Sequence, residues 1–403
     1  MTNLETICDT AAVQAIAAAP APEVRVETVS DYQEFLDLEE AWDALVSAAG
    51  IDHPFLHHVW VRTWWECFGA GSTLHVLLVK AGGQIVAIAP LILTTIRMFG
   101  VSVRRLGFFY NAHVPRADFI VGQRREEVYR AIWKHLEKNR CWDLLQLCQL
   151  PEATETLDEL PRLASAAGHP VGLWQSGESP FVSLDTSWNH YFSALAAKHR
   201  SNLRNRFKRL AQIGPLEIEE ISCGDALTDA LGDALQLEAA AWKRAAGTAI
   251  ACDPDITRFY VTYALRAADR GWLRLHFLRA GSARVAFDYS LSFANRIFLL
   301  KLGYDPAYAP FSPSNLLLSR ILEQSFGQGL DRYDFLGETA DWKQCWASES
   351  KPHFWLFIFS NSIKGRFLHR IKFGLIPLLK SDRVAPLRRI TMRIAALMNR
   401  GKN

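Results

Sequence analysis

The sequence predicts an α/β (α+β) protein made of two tandem copies of one unit, each a mixed twisted sheet flanked by helices, with a basic helical tail after them. Strand-type and helix-type segments alternate along the 403 residues, as expected for such sheets. Gly82 and Gly281, each between two strand-type segments, lie 199 residues apart, and Asp143 and Asp334 lie 191 apart. Because the paired positions keep the same order, they indicate an internal repeat.

The first unit is predicted over residues 24–180, after a flexible leader at 1–23, and its segments alternate in apolar spacing between period 2 and period 3.6. Ala81-Gly82-Gly83 is typical hairpin chemistry, and a stretch rich in Pro, Gly and Ser at about 150–190 suggests a linker. In chain order we predict a strand at Glu23–Val29, a helix capped by Asp31 that includes Leu45, an aromatic-rich helix at Val59–Phe68, strands at Leu74–Lys80 and Gln84–Leu93, a helix at Glu126–Lys138 and a strand at Trp142–Leu147.

The second unit is predicted over residues 185–360 and repeats this order of strands and helices. Its turn, Ala280-Gly281-Ser282, corresponds to the glycine turn of the first unit. We predict strands at Leu273–Arg279, Arg284–Phe293 and Arg296–Gly303, a helix at Ser314–Phe326 and a strand at Arg332–Leu336.

The tail, residues 361–403, is strongly basic. It holds eleven Lys or Arg residues and one acid, Asp382, whereas the preceding 360 residues carry 34 basic and 41 acidic residues. After Pro386 its apolar residues follow helical spacing with arginines between them. A basic amphipathic helix of this kind suits the surface of an anionic membrane, the acidic body of the protein or a partner.

Composition excludes several classes of protein. Hydrophobic residues make up 49% and charged residues 22%, which predicts buried cores rather than disorder. No apolar run approaches the roughly 20 residues that span a bilayer, and the chain starts with acidic Glu5 and Asp9 rather than the basic residues of a secretory signal. The seven cysteines include no Cys-x-x-Cys pair, which argues against a disulfide framework or a zinc knuckle. We expect a cytoplasmic protein without a metal, and the tail offers a means of peripheral contact with the inner face of the membrane.

The segment from Arg296 to Gly337 is the most informative about chemistry. A strand ends before Pro306, and an apolar helix follows, for which Ser312 is a candidate N-cap and Pro313 the first residue. The N–H groups and the dipole at such a helix start suit a phosphate or carboxylate, although an ordinary capped helix has the same sequence pattern. No Walker loop or Gly-x-Gly-x-x-Gly motif is present, which weakens the case for those nucleotide-binding folds.

An ordered set of motifs across residues 25–350 resembles the CelD/BioF2-type acyltransferase family. That family belongs to the GNAT (N-acetyltransferase) superfamily and is related to the Fem-type aminoacyl transferases. The motifs are Pro54-Phe55, Trp60, Thr63-Trp64-Trp65 and Phe68-Gly69, the basic run Lys198–Arg204, Glu238 with Trp242-Lys243, Gly271–Leu275, Arg284–Phe287, Gly303–Pro306, Ser312–Leu318, Tyr333–Gly337 and Trp342-Lys343.

The resemblance implies tandem GNAT-like units and acyl-coenzyme A (acetyl-coenzyme A) as co-substrate. In GNAT folds two strands splay apart to hold the thioester, and the next helix start takes the diphosphate. By resemblance, Ser312, Ser314 and Asn315 would bind the diphosphate. The usual glycine-containing pyrophosphate loop is absent, and Ser314 stands where many family members have Gly, so coenzyme A binding is an implication of the resemblance alone.

Five residues are catalytic candidates. Asp288 interrupts an apolar strand. A carboxylate that is partly buried there would have a raised pKa and would suit a general base. The alternative is a solvent-facing residue on an alternating strand. Asp334 and Glu338, near the end of the next strand, are second candidates, with helix capping or a salt bridge as the alternative. Tyr304 would protonate the leaving thiolate unless it is a packed loop aromatic. Lys343 matches the closing motif of the family but is equally well a surface lysine.

The substrate-binding candidates fall into two groups. Lys198, Arg200 and Arg204 begin a basic run in which Arg200 and Arg204 share one helical face; this face would grip a phosphorylated acceptor or simply be solvated. Glu238 and Trp242 lie one helical turn apart and would line an acceptor cleft, with core packing as the alternative for Trp242.

The resemblance implies acyl transfer to an amine or hydroxyl of a saccharide-type acceptor, in bacterial cellulose or exopolysaccharide synthesis. Two alternatives stay open. One is Fem-like aminoacyl transfer from charged tRNA, the only nucleic-acid partner expected; the other is a non-catalytic scaffold of a polysaccharide-synthesis complex.

Overall fold

The computed structural model describes residues 23–240 and 253–380. Its strands, in chain order, are β1 (Val24–Val29), β2 (Thr73–Leu74), β3 (Val76–Ala81), β4 (Gln84–Ala89), β5 (Leu91–Met98), β6 (Val101–Phe108), β7 (Ile120–Val121), β8 (Leu144–Pro151), β9 (Val171–Ser183), β10 (Leu216–Ile221), β11 (Leu273–Ala280), β12 (Ala283–Phe293), β13 (Arg296–Tyr304), β14 (Arg332–Asp334) and β15 (Glu349–Phe359).

The helices flank these strands on both faces. They are α1 (Tyr32–Leu36), α2 (Glu39–Ala48), α3 (His58–Phe68), α4 (Arg125–Lys138), α5 (Glu155–Ala166), α6 (Trp188–Ala194), α7 (Ala197–Leu210), α8 (Leu227–Ala240), α9 (Pro254–Asp269), α10 (Pro313–Gly327), α11 (Asp341–Gln344), α12 (Ile363–His369) and α13 (Ile376–Lys380), with 3₁₀ turns at Pro54–Leu56 and Pro306–Phe311 and a π-helical segment at Arg370–Leu375.

The predicted α/β class and tandem organisation are confirmed by the sheets. One sheet has eleven strands in the order β10-β11-β12-β13-β14-β9-β15-β8-β6-β5-β2, and the other has four in the order β1-β3-β4-β7. Each half contains one parallel pair of three residues, Arg105–Gly107 with Leu144–Gln146 and Arg296–Phe298 with Arg332–Asp334. Each parallel pair encloses a crossover helix, α4 or α10, as a β-α-β unit requires.

The two halves exchange their last strands. β9 follows β8 in the chain but pairs with β14 of the second half, and β15 pairs with β8 of the first half. β9 and β15 also pair with each other, antiparallel, at the centre of the large sheet. The halves therefore share one continuous sheet, and side chains from both reach its centre.

The predicted linker at 150–190 is wrong as a description of structure, because this stretch forms α5 and the central strand β9. Pairing with β14 on one side and β15 on the other satisfies the backbone of a segment whose Pro, Gly and Ser content suggests a loop. The single strand predicted at Gln84–Leu93 is also wrong. The chain crosses from the small to the large sheet at Pro90, which has no N–H for a ladder.

Local signals predicted the two glycine turns and the Asp31 cap correctly. Gly82 and Gly281 both have positive φ, 59° and 63°, each as the first residue of a two-residue hairpin turn, as the 199-residue repeat predicts. Asp31 caps α1 by accepting the Glu34 N–H, although the predicted helix is split into α1 and α2. Asp143 precedes its parallel ladder whereas Asp334 ends its own, so that pair is not equivalent in position.

Three hydrophobic cores hold the sheets and helices together. The largest contains α3, α4 and α9 with the small sheet and part of the large one, and the second lies under α10. A small third core joins Phe357 and Phe359 of β15 to Leu368 of α12. No helix of the described ranges is long and apolar enough to span a bilayer. Leader residues 1–22 and tail residues 381–403 lie outside the described residues.

Candidate active site

A cavity of about 400 Å³, here called the central cavity, lies where the two halves meet. β13 and β14 pair over three residues only, after which β13 runs on to Tyr304 and the chain after Asp334 turns away. The cavity occupies this opening. Its walls are Leu299–Lys301 and Phe335–Glu338 of the second half, Tyr110 and Ala112–Pro115 of the first half, Ser176–Ser179 of β9, and Gln149, Tyr260, Lys343 and His353.

A tight turn after β14 shapes one wall of the cavity. Leu336 and Gly337 both have left-handed backbone conformations, with φ of 50° and 57°. Such a conformation is unfavourable for leucine and is retained where the surroundings enforce it, often at functional sites. Lys343 Nζ donates to the Leu336 carbonyl at 2.5 Å and to the Glu338 carbonyl at 2.9 Å. The turn thereby holds the Lys343 ammonium in a defined position beside the cavity.

The environment of Lys343 makes its charge easy to remove. Burial lowers the pKa of Lys343 to about 8, and the negative charges of Asp334 and Glu338 oppose this lowering. An ammonium whose pKa lies near neutrality suits chemistry in which charge or a proton moves. Three of the five catalytic candidates, Asp334, Glu338 and Lys343, are thus brought together at the end of β14.

Asp334 is held by a residue of the first half. Its fully buried carboxylate forms an ion pair with the Arg116 guanidinium, and Oδ1 accepts the Leu336 N–H at 3.0 Å. A salt bridge was the alternative named for Asp334, and this is what the geometry shows. Because Arg116 and Asp334 are 218 residues apart, the pair ties the cavity wall of one half to the turn of the other.

Two histidines on the cavity wall are neutral at pH 7. His113 Nδ1 lies 3.1 Å from the Tyr260 hydroxyl, and His353 Nε2 lies 2.8 Å from Ser179 Oγ. Burial, reinforced by nearby positive charge, lowers the pKa of each imidazole to about 4. Ser179 Oγ also donates to the Gly337 carbonyl at 3.3 Å, which ties β9 to the turn that holds Lys343.

Residues 197–344, which include α7, α10 and the turn that holds Lys343, match the family described as acetyltransferase (GNAT) domain. This stretch is a GNAT-type acetyltransferase domain. The protein is accordingly an acyltransferase of the GNAT superfamily. The finer assignment to the CelD/BioF2-type family stays a prediction, and no curated protein sequence matches the chain.

The fold resembles that of solved structures at low sequence identity. A crystal structure of FemX is 12% identical with a TM-score of 0.56, covering 85% of this chain and 100% of that one. The C-terminal domain of a putative lysylphosphatidylglycerol synthetase from Agrobacterium fabrum is 14% identical with a TM-score of 0.50, covering 85% and 97%. At these identities the likeness concerns the fold alone.

Within the GNAT domain, Asp288 and Tyr304 lie outside the lining of the central cavity. The Asp288 carboxylate is fully buried, rather than partly as expected, and accepts hydrogen bonds from the Tyr333 hydroxyl at 2.7 Å and from the Ser290 hydroxyl. Tyr304 is half-buried at the end of β13 and packs against the second core. Their catalytic roles stay predictions.

The start of α10 in the GNAT domain is partly occupied by the protein itself. Ser312 is the N-cap, but its backbone is left-handed and its side chain makes no capping hydrogen bond. Ser314 Oγ donates to the Gly303 carbonyl at 3.2 Å, and Asn315 Oδ1 accepts from Trp346 Nε1 at 3.0 Å. These side chains brace the loop, and a diphosphate would have to share or displace their contacts.

The basic run forms α7, which lies beside the start of α10. Lys198 and Arg204 are exposed, and Arg204 lies over the Phe192 ring. Arg200 is half-buried and donates from Nε to the Leu195 carbonyl at 3.0 Å. Arg209 lies over the Phe311 ring at 5.2 Å, next to Ser312. The helix thus adds positive charge near the predicted diphosphate site rather than at the central cavity.

Glu238 lies behind the wall of the central cavity. It lies on α8 and is 1% exposed. Burial lowers the pKa of Lys301, and the negative charge of Glu238 opposes that change. Lys301 lines the cavity with Nζ over the Tyr260 ring at 4.8 Å. Trp242, its predicted neighbour in an acceptor cleft, lies outside the described residues.

Sequence reasoning missed most of the cavity wall. His113, Tyr260, Lys301 and His353 come from four different parts of the chain, and no spacing links them. Arg116, which holds Asp334, was missed as well. One signal was available: Lys301 interrupts an apolar strand just as Asp288 does. Arg116 and His113 lie between β6 and β7 in a stretch without helix or strand periodicity.

Proposed function

We propose that the central cavity is where the protein transfers an acyl group to an amine or hydroxyl. The proposed donor is acyl-coenzyme A and the acceptor a saccharide-type molecule of cellulose or exopolysaccharide synthesis, as the family resemblance implies. One observation carries the proposal. Inside a GNAT-type domain, at the opening between β13 and β14, the Lys343 ammonium is fixed by two carbonyls at the wall of a cavity.

Acyl transfer needs charge stabilisation at the reacting carbonyl. Attack by the acceptor forms the new C–N or C–O bond and places negative charge on the thioester oxygen; collapse of the intermediate then breaks the C–S bond and releases the thiolate. A positioned cation at that oxygen contributes typically 10²–10³ in rate. Lys343 supplies that cation in our proposal, and Glu338, on the same wall, takes the acceptor proton.

Positive charge beside α10 supports an anionic donor. The start of α10 has no side-chain cap, and α7 places Arg209 next to it. Ser312, Ser314 and Asn315 stay the proposed contacts to the diphosphate of coenzyme A, through rearranged side chains or main-chain N–H groups.

Calorimetry tests the donor. Titration of the full-length protein with acetyl- and longer acyl-coenzyme A should give saturable heat, and Arg209→Gln should weaken it, since that arginine lies beside the proposed diphosphate site. Arg162→Gln, an exposed arginine of α5, is the matched control. Absence of saturable heat with every acyl-coenzyme A would refute this donor.

Aminoacyl transfer from charged tRNA is a second candidate, and α7 favours it. Lys198, Arg204, Lys208 and Arg209 are exposed on this helix, which suits a polyanion as well as a diphosphate. The fold likeness to FemX and to the putative lysylphosphatidylglycerol synthetase domain is in keeping with either donor. Filter binding at low salt decides between them: retention of charged tRNA that Arg204→Gln with Lys208→Gln abolishes supports this candidate, and no retention refutes it.

The described part of the tail supports contact with a membrane surface. Ile363 is 92% exposed and Leu378 63%, with Leu379 also exposed, and the exposed Arg366 and Arg370 lie on the same segment. Apolar side chains flanked by cations suit an anionic interface. Replacing Ile363, Leu378 and Leu379 by Ser should abolish sedimentation with vesicles containing phosphatidylglycerol. Leu265→Ser, at an exposed leucine of α9, should not; equal sedimentation of both variants would refute membrane contact.

A further inference from the structure

A second cavity, of about 380 Å³, adjoins the central one and is here called the cationic cavity. It is lined by Arg116, Arg296, Arg332 and Lys351 together with Asp52, His53, Asp118, Glu152 and His353, among others. His353 lines both cavities. The loop after β6 separates them, with His113 facing the central cavity and Arg116 the cationic one.

The cationic cavity lies away from the proposed donor site. Arg296 and Arg332 are the first residues of β13 and β14, which run parallel. The helix start at Pro313 follows the opposite end of β13. A ligand in this cavity would therefore approach the central cavity from the side opposite to the diphosphate of the donor.

Within the described ranges, two of the four cations have no acidic side chain at ion-pair distance. Arg116 is paired with Asp334 and Arg296 with Asp52. For Arg332 and Lys351, no carboxylate of the described ranges lies within ion-pair distance. Both instead lie over the same Phe181 ring, at 4.1 Å and 5.9 Å.

The positive charge at these two residues is opposed only at longer range, since the Asp52 carboxylate counteracts the lowering of both pKa values and Asp334 that of Arg332, without ion-pair contact in the described ranges. Burial lowers the pKa of Lys351, and repulsion from Arg332 and then Arg116 lowers it further. The pKa of Arg332 is lowered by burial and by Arg296. Burial raises the pKa of Asp118 to about 6, so its carboxylate is still mostly charged at pH 7. It accepts hydrogen bonds from the Thr154 and Thr156 hydroxyls and from the Phe119 N–H, and forms no ion pair with Arg332 or Lys351.

Buried imidazoles add unused hydrogen-bonding atoms to the same wall. His53 is 7% exposed and His353 3% exposed, and Nδ1 of each has no partner in the described part of the chain. Unpaired buried polar atoms are costly and call for an explanation such as a ligand. Burial followed by repulsion from Arg116 lowers the pKa of both rings, to about 3 and about 4. A neutral imidazole with its proton on Nδ1 can donate to an anion, whose negative charge would also offset the repulsion from Arg116.

We propose that the cationic cavity binds a phosphate-class group carried by the acceptor. Arg332 and Lys351 are the principal anion ligands, and His53 and His353 complete the site. The acceptor is then a phosphorylated molecule whose nucleophile reaches the central cavity past His353. The anion site stands on its own observations, whereas its assignment to the acceptor rests on the proposed acyl transfer. Free inorganic phosphate has the same chemistry and is distinguished below.

Calorimetry on the full-length protein tests the site with inorganic phosphate, glucose 1-phosphate and glucose. We expect saturable binding of both phosphates and none of glucose, with the sugar phosphate at least tenfold tighter than inorganic phosphate. Arg332→Gln with Lys351→Met should weaken phosphate binding at least tenfold, whereas Lys351→Arg should change it less than threefold. Arg162→Gln, an exposed arginine of α5, is the control and should bind as the unaltered protein does. If the double variant does not fold, Lys351→Met alone carries the test.

Phosphate affinity that is unchanged in the double variant, or no saturable binding of either phosphate, would overturn the site. Tight inorganic phosphate with no gain for the sugar phosphate would overturn its assignment to the acceptor. Acetyl-coenzyme A binding is measured in parallel and should be the same in the double variant as in the unaltered protein. Phosphate binding that behaves as expected while no acyl-coenzyme A binds would refute the proposed donor and leave the anion site in place.

Discussion

The partly buried Lys343 predicts a pH dependence of stability that no substrate is needed to observe. Its pKa is about 8 in the folded protein against 10.5 for the ordinary side chain. Between these pH values the unfolded chain binds more protons than the folded one, so the free energy of unfolding contributed by Lys343 rises with pH. Below pH 8 both states are protonated and the contribution is constant. From pH 7 to pH 10 the rise amounts to about 2.5 kcal/mol.

The assay is urea unfolding of the full-length protein and of Lys343→Met at pH 7, 8, 9 and 10. Other groups titrate alike in both proteins, so the difference between the two free energies isolates Lys343. We expect the unaltered protein to gain about 2.5 kcal/mol relative to the variant over this range. Lys80→Met, at a lysine on β3 that pairs with Glu27 near the surface, should show no such gain. A difference between Lys343→Met and the unaltered protein that stays constant within about 0.5 kcal/mol would contradict the placement of Lys343.

Three further predictions follow from the same wall. If the Lys343 cation stabilises the oxyanion, the transfer rate should fall as pH rises through about 8. The rate of Lys343→Arg should stay constant to pH 10, because arginine keeps its charge. Parallel pH–rate profiles of the two proteins would contradict this role. Asp334→Asn leaves the buried Arg116 charge without its partner and should lower the free energy of unfolding by about 3–5 kcal/mol in urea; a loss below about 1 kcal/mol would refute the pair. Gly337→Ala forces a side chain into the left-handed region at φ 57° and should lower the free energy of unfolding by about 1–2 kcal/mol. Gly327→Ala, with free space around it at the end of α10, should not lower it. Equal losses in the two variants would contradict the strained turn.

Local rules predicted much of the fold because they act within a few residues. The helix start at Asp31 follows from capping, because its side chain accepts a backbone N–H of the first turn. The hairpin turns at Gly82 and Gly281 follow from the freedom of glycine at positive φ. Each such feature is decided by one residue and its neighbours, so a single sequence contains enough information.

The predictions of secondary structure failed where a segment is held by strands that are distant in the sequence. The Pro, Gly and Ser content of 150–190 is typical of a loop, yet β9 is held by β14 and β15, which are more than 140 residues away in the chain. Strand pairing depends on partners that no local pattern specifies. For the same reason the two halves were predicted as successive units, and the exchange of their last strands was not foreseen.

The candidate site was predictable in part. Asp334, Glu338 and Lys343 lie within ten residues of each other in the sequence, so residues of one motif also lie close together in the structure. Arg116, His113 and His353 reach the same cavities from distant elements. For Asp288, the interrupted apolar run marked a carboxylate on a strand, whereas its full burial and its bonds to Tyr333 and Ser290 came from the packing. Its catalytic role stays a prediction.

The amino-acid sequence by itself determined the α/β class, the internal repeat, the basic tail and the cluster at the end of β14, because periodicity, turn chemistry and charge are written locally. Only the tertiary structure decided that β9 and β15 change places, that two cavities share His353, and that Arg332 and Lys351 lie over one Phe181 ring without an ion-pair partner in the described ranges. These features depend on which distant segments pack together. That packing is determined by the burial of apolar surface over the whole chain rather than by the sequence of any one segment.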